Sequence, residues 1–135
     1  MRLVRIFVLL ATLAVPVLAV ALDDAALIDQ LVARSPWKGL NIGDGGLGTV
    51  SYDITFDKDS SGRLTAVVSN YSIPAFAGIA NGPVKAPSVE KGVLRFETNR
   101  GSYKLTPGPD EKWTGDALSL DKSFGAAVSL TPTKK

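Results

Sequence analysis

The chain contains no cysteine and no histidine. Without cysteine there is no disulfide, no thiolate nucleophile and no thiol for a lipoprotein anchor. An exported domain is free to use disulfides, so this one relies on packing alone. Without histidine, Ser-His-Asp and Cys-His catalysis, His-rich zinc or copper sites and imidazole pH switching are all excluded. Charge of either sign is also in short supply as an excess. Fifteen Lys and Arg stand against thirteen Asp and Glu, and setting aside Arg2 and Arg5 leaves thirteen of each. The basic residues are scattered among acids, whereas a reader of phosphates needs them clustered. No nucleic acid partner is expected, and no cofactor.

What is present begins at the amino terminus. Arg2 and Arg5 precede an apolar run, Ile6 to Val20, broken by Thr12 and Pro16. Ala19-Val20-Ala21 then gives the small-x-small pattern of a cleavage site. This is the layout of a cleaved secretory signal peptide over residues 1–21, with no membrane span left in the mature form; an uncleaved anchor is the other reading of the run, and Pro16 near its end suits a cleavage region better. The expected product is a periplasmic or extracellular domain covering residues 22–135, a length that buries enough surface to fold without staples.

The mature part opens on a helix over about 23–35. Asp23 or Asp24 caps its first turn, Leu27, Ile28, Leu31 and Val32 share one face, and Pro36 ends it. Residues 41–48 are glycine-rich and read as a flexible connection. From Gly48 to Phe56 the sequence alternates, with Val50, Tyr52, Ile54 and Phe56 on one side. That is the clearest strand signal in the chain. Arg63 to Tyr71 returns as a second strand. Residues 72–87 carry three prolines and two glycines and read as irregular, with a short strand around Val84. Val93–Thr98 and Ser102–Thr106 flank the tight turn Asn99-Arg100-Gly101, with Leu94, Phe96, Tyr103 and Leu105 on one face. Trp113–Leu120 follows, with Leu118 and Leu120 expected inward. Ala126, Val128 and Leu130 mark the last strand before Pro132, and Lys134 and Lys135 read as a solvated end. The expected fold is all-β in the main, an antiparallel meander closing into a barrel of seven or eight strands, with the helix against it or plugging one end.

Four motifs carry possible chemistry. Gly43 to Gly48 spells G-x-G-x-x-G, but a dinucleotide site needs a strand before it and a helix after it. Here a connection precedes and a strand follows. Asp57, Asp59 and Ser61 occupy the first oxygen-ligand positions of a calcium loop, with Gly62 at its turn. The twelfth position, which should be a bidentate glutamate, is Val68, and the flanks are strands, so a polar turn is the better reading and no metal is expected. Asp53 and Glu97 fall opposite their apolar neighbours, so they face solvent and form no acid–base pair with Asp116. Asn70-Tyr71-Ser72 is a glycosylation sequon.

Ser35-Pro36-Trp37-Lys38-Gly39, Tyr52-Asp53-Ile54-Thr55-Phe56 and Ala127-Val128-Ser129-Leu130-Thr131-Pro132 together resemble small exported bacterial domains of calycin or lipocalin-like type. The lipocalin Gly-x-Trp order is reversed here, Gly39 following Trp37. The resemblance implies a meander barrel holding a hydrophobic ligand. A barrel of this size just admits one small molecule. The leading functional expectation is therefore a non-enzymatic binding module for a small apolar or amphipathic ligand, lined by Tyr52, Ile54, Phe96 and Tyr103. The other expectation is a structural or interaction domain with an envelope protein as partner. In that reading the barrel is solid and the contact surface lies on the glycine-rich run or on residues 72–87.

Overall fold

The computed structural model describes residues 22–43 and 48–133. The expected signal peptide, residues 44–47 of the glycine-rich motif, and Lys134 and Lys135 lie outside these. Helix α1 (Asp24–Ala33) comes first, its N-cap Asp23 accepting a 2.8 Å bond from the Ala26 N–H. Strands β1 (Trp37–Ile42), β2 (Thr49–Lys58) and β3 (Leu64–Ser69) follow. A second helix α2 (Pro74–Ala80) leads into β4 (Gly82–Pro83), β5 (Lys85–Glu90), β6 (Val93–Thr98) and β7 (Gly101–Pro107). A 3₁₀ turn at Pro109–Glu111 precedes β8 (Trp113–Ser119) and β9 (Gly125–Pro132).

The strands form one antiparallel sheet in the order β4-β3-β2-β1-β9-β8-β7-β6-β5. Chain neighbours pair throughout, and the pairing of β1 with β9 rolls the meander into a nearly closed barrel. The seam lies between β3 and β5, bridged where the Val84 N–H donates to the Ala66 carbonyl at 2.9 Å. The count is nine strands, not the seven or eight the sequence suggests. Two causes are visible. Strand β1 points Trp37, Gly39 and Asn41 inward, so just one of its three inward side chains is large and apolar, and its periodicity is hidden. Residues 72–87 hold β4 and the start of β5, and also α2, where the sequence suggests an irregular stretch. Pro74 sits at the first helical position, where its missing N–H costs nothing, and three alanines favour the turns that follow.

Strand β8 also differs from expectation. Trp113 is fully buried and Ala117 is buried, whereas Leu118 and Leu120 are 45% and 65% exposed. A strand alternates with period two, so a buried Trp113 sets every odd position inward and turns Leu118 outward; Leu120 lies just past the strand's end. The glycine motif is likewise preceded by a strand, β1, and not by an irregular connection. It still opens into β2 and not into a helix.

The barrel interior is built from β2 (Val50, Tyr52, Ile54, Phe56) and from the pairs Leu94↔Leu105 and Phe96↔Tyr103 of β6 and β7. Helix α1 lies over one mouth. Leu27 and Leu31 enter the core, and the Trp37 indole N–H donates to the Leu31 carbonyl at 2.9 Å. The Ser35 hydroxyl donates to that same carbonyl at 2.8 Å and accepts from the Phe56 N–H at 2.7 Å. Asp24 accepts from the Lys91 and Gly92 N–H groups of the β5–β6 turn, both at 2.8 Å. Asp29 pairs with Lys58 at the end of β2, and Arg34 with Glu111 beside β8. Helix α1 is thus fixed to three turns at once and plugs that mouth.

Candidate functional site

The opposite mouth gathers three of the four side chains that the sequence nominates. Asn41, at the inward end of β1, is fully buried. Its amide oxygen accepts from the Tyr52 hydroxyl at 2.8 Å, and its amide nitrogen donates to the Tyr103 hydroxyl at 2.9 Å. A polar group buried without partners costs several times what a satisfied one does, so this hub holds two strands' tyrosines in register with β1. The Tyr52 ring lies over Gly39, its direct cross-strand neighbour. A Cβ at Gly39 would stand 2.1 Å from that ring, so only glycine leaves it room.

The Phe96 and Tyr103 rings stack with centroids 4.6 Å apart, and Tyr52 and Tyr71 stack at 6.3 Å. Between these rings, Val68 and Arg100 lies a cavity of ≈ 10 Å³, room for about one water. Helix α2 roofs it. Ala80 is buried there, the Asn99 amide donates to the Ile79 carbonyl at 3.3 Å, and the Arg100 guanidinium lies 4.7 Å from the Phe76 ring centroid. Of the four residues the sequence nominates, Tyr52, Phe96 and Tyr103 meet at this cavity. Ile54 does not; it lies deeper, opposite Trp37. Asn41 escapes sequence reasoning because it opens the glycine-rich run. The signal that finds it is the alternation Trp37-x-Gly39-x-Asn41.

The charged groups settle elsewhere. Asp59 accepts from the Ser61 hydroxyl and from the Ser61 and Arg63 N–H groups, which holds its carboxyl down to about 2. The calcium-like sequence is therefore a hydrogen-bonded polar turn. Asp121 is held at about 2 by the Ser123 hydroxyl, the Ser123 N–H and the Ser119 hydroxyl. Asp53 is lowered by Asn70, whose amide donates at 2.7 Å, and by Lys38 at 2.9 Å. Among the described residues no three Asp or Glu side chains converge as metal ligands would. Two open depressions mark the outer wall. One, of about 510 Å³, is flanked by Arg95, Lys104 and Asp116; the other, of about 460 Å³, follows the seam beside Ile28, Leu64 and Val89.

The two mouths also differ in what they expose. Seven large apolar side chains are prominently exposed among the described residues. Five of them, Ile42, Ile79, Leu118, Leu120 and Phe124, lie at the α2 mouth, because β1 and β8 end there and α2 and the β8–β9 turn sit there. Val67 stands on the wall of β3 and Leu22 precedes α1. The chain matches no protein-family model, no curated protein and no solved structure.

Proposed function

We propose that this protein is an exported, non-enzymatic interaction module of the cell envelope that works through the surface of its α2 mouth. The observation that carries this reading is the gathering of exposed apolar side chains at that mouth, beside a cavity under α2 with room for about one water. Exposed apolar side chains gathered in one region mark an interaction site. Ile79 places part of that surface within residues 72–87. The carboxylates with shifted titration all move down, whereas a general acid at neutral pH needs one raised.

A second reading keeps the interior as the site, as the calycin-like resemblance implies. Three nominated residues around one cavity favour it, and α2 is the element that would have to lift to admit a small apolar or amphipathic molecule. Native mass spectrometry on protein purified in the form its own cells hold separates the two. A clean chain mass supports the surface reading. A reproducible small-molecule adduct, lost on Tyr103→Ala, overturns it in favour of the interior.

A further inference from the structure

We infer that residues 73–85, which hold α2, β4 and the first residue of β5, form a strap that swings off its mouth as one unit while the rest of the barrel stays folded. The inference goes beyond the surface reading and does not rest on it.

The strap begins and ends at joints. On one side the Asn70 amide donates to Asp53 at 2.7 Å, the Ser72 N–H donates to the Ser51 carbonyl at 2.8 Å, and the Ser72 hydroxyl accepts from the Ser51 N–H at 3.0 Å. These bonds tie the chain to β2 as far as Ser72. Ile73 is then extended (φ −104°, ψ 103°) ahead of Pro74. On the other side the β5–β6 ladder breaks between Lys85 and Ser88. Ala86 lies there at φ 49°, a strained conformation for a residue with a Cβ, and Pro87 brings no N–H. Regular pairing with β6 resumes at Ser88 and runs to Glu90.

Between the joints the strap is thinly attached. Strand β4 pairs with β3 through two residues, Gly82 with Val68 and Pro83 with Val67, and Lys85 pairs singly with Glu97 beyond the break. Strands β4 and β5 are the two ends of the sheet, so the seam runs along the strap itself, and the Val84 bond to Ala66 is made from it. The Asn81 amide oxygen accepts from the Tyr71 N–H at 3.1 Å, and the Ile79 carbonyl accepts from Asn99 at 3.3 Å. Ala80 is the one buried side chain of the strap; Ile73, Phe76, Ala77 and Val84 pack on the core in part. Few buried apolar contacts and largely exposed backbone bonds are what let a segment open well below the cost of global unfolding.

Opening removes Ala80 from the roof of the small cavity and turns Tyr52, Phe96 and Tyr103 toward solvent. Those three stand on β2, β6 and β7. Their positions are held by pairing with β1, β3 and β8 and by the Asn41 hub, all of it outside the strap. The open form therefore keeps its aromatic floor in place.

Amide exchange followed residue by residue on the intact protein tests this. The N–H groups of Phe76, Asn81 and Val84 bond to the Ile73, Ala77 and Ala66 carbonyls. They should share one protection factor, at least about a hundredfold below those of Phe96 and Leu105. Val67→Cys with Pro83→Cys joins cross-strand partners in a chain with no other cysteine. The oxidised variant should raise protection of the strap at least about tenfold, and reduction should return it. Asn81→Ala should lower it about fivefold and leave Leu105 unchanged. A strap as protected as Leu105 overturns the proposal, and so does a disulfide that leaves its exchange untouched. Three different protection factors at Phe76, Asn81 and Val84 would mean piecemeal fraying and overturn the single unit. The native mass bears on the surface reading alone, so the two can fail separately.

Discussion

The two mouths of the barrel are each covered by a helix, and the two helices do different things. Helix α1 has ten residues, a side-chain N-cap and two fully inserted leucines. Polar contacts tie it to three separate turns. Helix α2 has seven residues and no side-chain cap, and it buries only Ala80. It is held by Phe76 and Ala77 packed part-buried on the core, by a cation–π contact from Arg100, and by bonds to its backbone and its C-cap. An isolated helix of either length is marginal in water, so each owes its existence to what it packs on. The comparison teaches that one mouth is built to be sealed, while the other is covered lightly and left apolar outside. On the proposed reading, the lightly covered mouth is the one that makes contact.

The largest break in that comparison comes from the sealed end. Trp37→Ala removes a fully buried indole and the N–H bond to Leu31, and it should cost about 3–5 kcal/mol by urea denaturation. An effect under about 1 kcal/mol would mean α1 is not the seal. Beneath α2, Gly39→Ala forces the Tyr52 ring off its seat and strains the hub at Asn41, for about 1–3 kcal/mol of overpacking. The near-ultraviolet tyrosine signal should change with it.

Acid compares matched turns at opposite ends. Asp59 and Asp121 both titrate at about 2 in the folded chain against an ordinary 3.8. Folded values below unfolded ones mean each turn contributes stability above about pH 4 and loses it as the pH falls toward 2. Asp59→Asn and Asp121→Asn should each flatten the acid limb of the stability curve over that window. Thermal melts across it would show whether the α1 end yields first. The smallest effect is expected at the open mouth, where Leu120→Ser should change stability by less than about 0.5 kcal/mol. A larger loss would make Leu120 part of the core and remove it from the contact surface.

Much of the barrel is legible in the chain itself. In β2 every inward position carries a large apolar group, and in the β6–β7 hairpin the Asn-Arg-Gly turn fixes which side chains meet. Strand β1 is not legible, because Gly39 and Asn41 answer to Tyr52 and Tyr103, residues that lie 13 and 62 positions from their partners. Strand β8 misleads because Leu118, with Leu120 just past its end, outweighs one tryptophan in a simple apolar pattern. Burial instead follows the tryptophan, whose ring is the larger group removed from water.

By itself the sequence determined the covalent chemistry open to this protein and the class of its fold. Lacking thiol and imidazole, it has no disulfide and no nucleophile–imidazole pair, and two-residue alternation between short turns commits it to an antiparallel meander. The tertiary structure alone decided that β1 closes on β9, that Asn41 joins two tyrosines, and that the exposed apolar side chains gather at one mouth. Each of these depends on which distant residues come to lie opposite one another, and pattern along a chain does not encode register between strands far apart in it.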